Sequence, residues 1–243
     1  MITFDQIHKL RRGRTILENI TVEVLPGRVT GLVGPNGAGK SSLLRILLGL
    51  DRPSRGRALI EGIPYARLSR PFTVVGAQLD GAGAHRARTA RSHLRWIARS
   101  QQIPFGRVEE VLELIGLGSA ASQRVGQYSL GMAQRLGIGA ALLGDPRALI
   151  LDEPMNGLDP DGIRWLRALV RERAERGCAV LLSSHLLTEL EGVADDVLIL
   201  RRGRLVSRSS AKQLADRCGS LEAAYVDLAA ESLGTAGVIG ALR

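Results

Sequence analysis

Eight consecutive residues, Gly34, Pro35, Asn36, Gly37, Ala38, Gly39, Lys40 and Ser41, have the types and spacing that hold a nucleoside triphosphate. They follow G-x-x-x-x-G-K-[ST], where glycines let backbone N–H groups turn toward phosphate oxygens with no Cβ in the way. The next stretch, SSLLRILLGL, has helical apolar periodicity, so its positive N-terminal end would aim at the same phosphates. Lys40 adds a compact charge. The chain has 33 Lys plus Arg but only three lysines, Lys9, Lys40 and Lys212. An ammonium fits between β- and γ-phosphates inside a tight loop where a planar guanidinium does not. Ser41 has the hydroxyl for Mg²⁺. A chance match of this pattern in a chain of this length is on the order of one per cent.

A second constellation is ALILDEP, Ala148 to Pro154. An apolar strand ending in two carboxylates delivers both to the open edge of a parallel sheet, where ligands bind in such folds. There Asp152 would hold Mg²⁺, directly or through water. Glu153 would orient and polarise the water that attacks the γ-phosphate. Taken alone, an Asp-Glu-Pro string often only ends a strand; beside a phosphate loop it reads as catalytic. Asp159 follows in the turn NGLDP. His185 closes SSH after the next strand, next to the same pocket, although a single strand-end histidine needs no function.

These groups need a frame. Short β-branched runs alternate with helical patterns, which predicts an α/β fold with a mainly parallel sheet and helices on its faces. Val29 to Gly34 feeds the loop. Ile2 to Phe4, Ile20 to Leu25 and Ala58 to Gly62 have the length and turn spacing of an antiparallel edge ribbon. Phe72 to Ala77, Ala148 to Asp152, Ala179 to Ser184 and Val197 to Leu200 read as core strands. From about 81 to 143 the pattern is helical throughout, an insert. Gly137 and Gly139 inside its last helix would permit close packing. The tail from Arg204 onward alternates short strand and helix patterns.

At 243 residues and 45% hydrophobic the chain suits one full domain. Cys178 and Cys218 form no C-x-x-C pair, no leader opens the sequence and no apolar run is long enough to span a bilayer, which together predict a cytoplasmic setting. The net charge of +9 permits an anionic partner, but 3% aromatic residues leave few rings for base stacking and argue against nucleic acid. Arg86, Arg88, Arg91, Arg95 and Arg99 cluster around Trp96, either as a solvated face or as a docking surface near a membrane.

In this order and spacing, GPNGAGKSS, YSLGMAQR, LILDEPMNGLDP and SSH resemble the nucleotide-binding subunit of an ABC transporter, from Ile2 to about Asp227. The resemblance implies a P-loop NTPase (RecA-like) core with an antiparallel β edge subdomain and an inserted helical subdomain, all within one ABC-type domain. It makes Gly34 to Ser42 the Walker A motif, with Lys40, Ser41 and Ser42 on the phosphates of ATP and on Mg²⁺. Asp152 becomes the magnesium ligand, Glu153 the catalytic carboxylate, Asp159 the D-loop residue and His185 the switch histidine. It further implies a head-to-tail dimer in which Ser129 and Gly131 close over ATP held by a second subunit, and a separate transmembrane permease.

Departures carry information. The usual signature L-S-G-G-Q reads YSLGM, Tyr128 to Met132, keeping Ser129 and Gly131. This variant resembles the drug and antibiotic export branch of bacterial ABC transporters. The switch-loop residue is either Gln78 or Asp80. The aromatic residue expected to stack on adenine has no counterpart; its place falls near Arg11 and Arg12. The competing reading is an ABC-type ATPase that acts on nucleic acid or the ribosome.

Overall fold

Ile2 and Phe4 are buried while Thr3 between them is partly exposed, the period of a strand with one covered face. They open β1 (Ile2–Arg11), which a turn at Arg12 and Gly13 joins to β2 (Arg14–Val24). The computed structural model describes residues 1–79 and 83–218. After β3 (Val29–Val33), β4 (Arg55–Ile60) joins the first two strands in an antiparallel sheet of order β2-β1-β4. This is the expected edge ribbon, extended beyond its apolar start because β1 stays paired with β2 through its charged end.

The second sheet contains β3, β5 (Val75–Gln78), β6 (Ala148–Leu151), β7 (Ala179–Ser184), β8 (Asp196–Arg201) and β9 (Arg204–Ser210). Its order is β5-β6-β7-β3-β8-β9, and only the β8–β9 pair is antiparallel. Every residue of β3, β6 and β7 is buried, as unbroken apolar runs require when helices cover both faces. On one face, Leu43, Leu44 and Leu47 of α1 (Lys40–Leu47) share a core with Phe4 and Ile20 of the ribbon. On the other, Leu166, Leu169 and Val170 of α6 (Pro160–Glu175) pack with Leu149, Val180 and Val197.

One strand expectation is corrected. Phe72 to Val74 belong to a helical turn, α2 (Pro71–Val74), so the strand begins at Val75. Pro71 fixes the first helical φ, and the Thr73 hydroxyl donates to the Arg70 carbonyl at 3.0 Å. Local turn chemistry here overrides the β propensity of Thr73 and Val74.

The helical stretch contains α3 (Ala90–Ser100), α4 (Gly106–Leu114) and α5 (Leu130–Leu142), with no strand among the described residues between α3 and α5. Leu94, Val108, Val111, Leu112 and Leu136 form its own core. Ile138, Ala141 and Leu142 of α5 instead enter the core against the parallel sheet, so this helix ties the lobe to the sheet. Gly139 does permit close packing, since a Cβ there would lie 2.7 Å from Ile115 Cδ1. The tail supplies β9 and α7 (Ala211–Cys218); its remainder lies outside the described residues.

Gly76 measures how tightly α5 meets the sheet: a Cβ would overlap the Ala141 carbonyl oxygen and lie 2.9 Å from Pro146 Cγ. Gly76→Ala should therefore destabilise by about 1–3 kcal/mol through overpacking, read as a lower urea midpoint. An unchanged midpoint would contradict this packing.

Candidate functional site

Parallel pairing brings the carboxyl ends of β5, β6, β7 and β3 to one edge of the sheet. From β3 the chain enters the glycine loop. Gly34 is forced by close approach, since a Cβ would overlap the Leu200 carbonyl oxygen. Gly39 is forced twice, by φ of +110° and by Leu17 Cδ2, which a Cβ would approach to 2.7 Å. Between them Pro35, Asn36 and Gly37 are exposed, and Ala38 N–H closes a turn on the Pro35 carbonyl at 3.0 Å. At the start of α1 the N–H groups of Lys40, Ser41 and Ser42 have no acceptor in their own helix, and no acidic residue stands in that turn. A backbone cradle crowded against β8 and β2, with no acidic residue in its own helical turn, fits a polyphosphate.

Lys40 is buried. Its Nζ donates to the Gly34 carbonyl at 2.6 Å and stands 3.1 Å from Glu153 Oε1. The other carboxylate oxygen of Glu153 is 2.8 Å from His185 Nδ1. Residues from three separate segments thus meet at one carboxylate. Beside it, buried Asp152 accepts from Ser183 Oγ at 2.5 Å, and that hydroxyl accepts the Glu153 N–H at 2.9 Å. Glu153 itself has φ of +48°, a sparsely populated conformation that surrounding bonds must hold. Gln134 Nε2 reaches its carbonyl at 3.4 Å.

Gln78 ends β5. Its carbonyl accepts the Asp152 N–H at 2.8 Å and its amide donates to Gln134 Oε1 at 3.3 Å. Asp80, the alternative switch-loop residue, lies outside the described residues. Two residues in this network, Ser183 and Gln134, were not among the expected site residues. Register places Ser183 there: Leu151 pairs with Leu182, so the residues after them, Asp152 and Ser183, are neighbours, and in the sequence only its place in SSH pointed toward the site. Gln134 had no such signal, because its helix position meets the site only through packing.

Among the described residues no hydrogen bond or ion pair joins Ser129, Gly131 or Asp159 to Lys40 or Glu153. Ser129 caps α5, its Oγ accepting the Met132 N–H at 3.2 Å, and Leu130 beside it is 66% exposed. A Cβ on Gly131 would lie 3.1 Å from the Gly157 carbonyl oxygen, so the signature turn packs on the loop that leads to Asp159. Asp159 caps α6, accepting the Gly162 N–H at 2.7 Å. Arg11 and Arg12 are exposed near the β1–β2 turn.

The family model described as ABC transporter matches residues 17–156, which contain the loop, the signature turn and both carboxylates. The chain belongs to the ABC transporter family. As a member it is an ATP-binding ATPase subunit. It is 38% identical over 215 residues to the uncharacterised ABC transporter ATP-binding protein YhcH of Bacillus subtilis, covering 87% of this chain and 70% of that one. It is 34% identical over 206 residues to the lantibiotic transport ATP-binding protein SrtF of Streptococcus pyogenes, covering 85% and 89%. A solved structure of an ATP-binding subunit of an ABC transporter superposes with a TM-score of 0.85 at 28% identity, over 94% of this chain and 99% of that one. The α/β P-loop cassette is therefore the fold of this ATPase.

Ser183→Ala would remove the hydroxyl shared by Asp152 and the strained Glu153 peptide. A buried group left unpaired costs about 1–3 kcal/mol, so ATP turnover should fall by at least about fivefold while nucleotide binding to the loop persists. Parent-like turnover would show that the hydroxyl does not position the carboxylates.

Proposed function

We propose that this ABC ATPase couples ATP-driven closure of a dimer to export of a drug, antibiotic or similar small molecule through a separate permease. The observation that carries the hydrolytic part is Glu153, held between Lys40 and His185 at one end of the phosphate loop. In this reading the N–H groups of Lys40, Ser41 and Ser42, with those of Gly37 and Gly39, bind the phosphates, and Lys40 exchanges Glu153 for phosphate oxygens. Glu153, once released, orients the attacking water and takes its proton, with His185 fixing the carboxylate. Ser41 and Asp152 would hold Mg²⁺, which when bound neutralises phosphate charge.

Ser129 and Gly131 would complete the site of a second subunit. The exposure of Leu130 between them and the place of Ser129 at the open end of α5 support that role. Asp159, exposed on the adjoining loop, would lie in the same interface. No helix among the described residues is long and apolar enough to cross a membrane, so the work of closure would act on another polypeptide. A groove of about 510 Å³ between α1, β5 and α3, lined by Leu48, Tyr65, Leu79, Trp96 and Ile97, offers an apolar seat for it. Gln78 lines this groove and also bonds Asp152, which joins the seat to the hydrolytic edge. The lantibiotic transport relative supports an antibiotic-like cargo, and the protein would then sit on the cytoplasmic face of the membrane.

Glu153→Gln keeps the size of the side chain but cannot take a proton. Turnover should fall by about 10²–10⁴-fold while ATP and magnesium convert the protein to a stable dimer in size-exclusion chromatography. A variant that hydrolyses at the parent rate, or stays monomeric with ATP, would refute the assignment.

A further inference from the structure

The outer side of α3 carries charge that the hydrolytic site does not use. Ala90, Leu94, Ile97 and Ala98 bury one face of the helix in the lobe, which leaves Arg95, Trp96 and Arg99 facing outward. Arg86 and Arg88, in the turn before it, are exposed as well. One carboxylate, Glu109, serves both Arg91, at 3.0 and 3.1 Å, and Arg95, at 3.1 Å. Arg86, Arg88 and Arg99 have no ion pair among the described residues. The face is thus a net cationic one, built wholly from arginine, whose planar fork matches phosphate oxygens.

Two aromatic rings stand within it. Trp96 is 57% exposed with the Arg88 guanidinium 4.9 Å from its ring centroid, and Phe105 is 49% exposed with Arg95 at 5.9 Å. Base stacking needs open ring faces, and a guanidinium already lies over each of these rings. An indole and arginines side by side instead suit the headgroup layer, where the ring lies among apolar stems and the cations reach phosphates. Trp96 also lines the apolar groove together with Arg45 and with Leu50, itself 57% exposed, so groove and cationic face are continuous.

We propose that Arg86, Arg88, Arg95, Trp96 and Arg99 form a contact surface for anionic phospholipid headgroups, which orients the cassette against the bilayer beside the groove. The setting rests on the membrane-partner reading above, but the binding needs this chain alone. The permease-free protein should sediment with vesicles of phosphatidylglycerol and phosphatidylcholine, and not with phosphatidylcholine alone, with added salt weakening the association. Arg88→Gln combined with Arg99→Gln should lower partitioning about 25-fold, from about fivefold per arginine, the equivalent of about 1 kcal/mol each. ATP turnover in this double variant should match the parent, which serves as the control for folding. Brominated phospholipid should quench indole emission in the parent but not in Trp96→Phe, because Trp165 is packed under Arg135 with its N–H bonded to the Leu114 carbonyl.

Absence of vesicle binding, equal partitioning of parent and double variant, or quenching that survives Trp96→Phe would each overturn the proposal. Tighter binding of single-stranded DNA than of phosphatidylglycerol at equal phosphate concentration would also overturn it and mark a nucleic-acid surface. Loss of ATP turnover with vesicle binding intact would strike the functional reading and spare this one.

Discussion

A lysine ammonium inside a protein must keep a counter-charge or hydrogen-bond acceptors, because water no longer solvates it. Lys40 is 6% exposed, and it meets that demand with the Gly34 carbonyl and the Glu153 carboxylate. The same demand makes the position receptive to phosphate oxygens, which can replace the carboxylate as counter-charge. The group expected to meet the nucleotide and the group expected to activate water are thereby joined by one ion pair. His185 completes the set, since Glu153 has a second oxygen that would otherwise lack a partner inside the fold.

The rest of the architecture serves to keep those groups together. A parallel sheet sends every strand in the same direction, so each strand end arrives at one edge with its side chain at a height fixed by register. Pairing of Leu151 with Leu182 and of Val33 with Ser184 aligns the glycine loop, the acidic pair and the histidine turn. Ser183 then spans Asp152 and the Glu153 peptide, and holds the latter at a positive φ that a free chain would avoid. Strain stored at one residue persists because its neighbours determine its position more than once.

Helix α5 links this edge to the outside. Its middle packs under the sheet, Ser129 caps it and Gly131 lies in its first turn, and Gln134 bonds both Gln78 and the Glu153 carbonyl. Gly137 and Ala140 of the same helix line the groove, so one helix touches the groove, the acidic edge and the signature turn. The cationic face of α3 lies on the same lobe, and its charge is spread over a surface instead of being focused into a cleft.

What the sequence determined was chemistry of fixed local spacing. The glycine loop with Lys40, the acidic pair and the unbroken apolar strands are set by neighbours in the chain, because φ/ψ limits, helix ends and strand period act over a few residues. Pro71 shows the limit even there, since its turn displaced part of an apparent strand. Tertiary structure alone decided that Lys40 pairs with Glu153 and that Gln134 reaches the site. It also decided that Gly76 is pressed against α5 and that Arg88 lies over Trp96. These contacts depend on how layers stack and on which direction each helix faces, quantities that arise only when distant segments compete for the same buried volume.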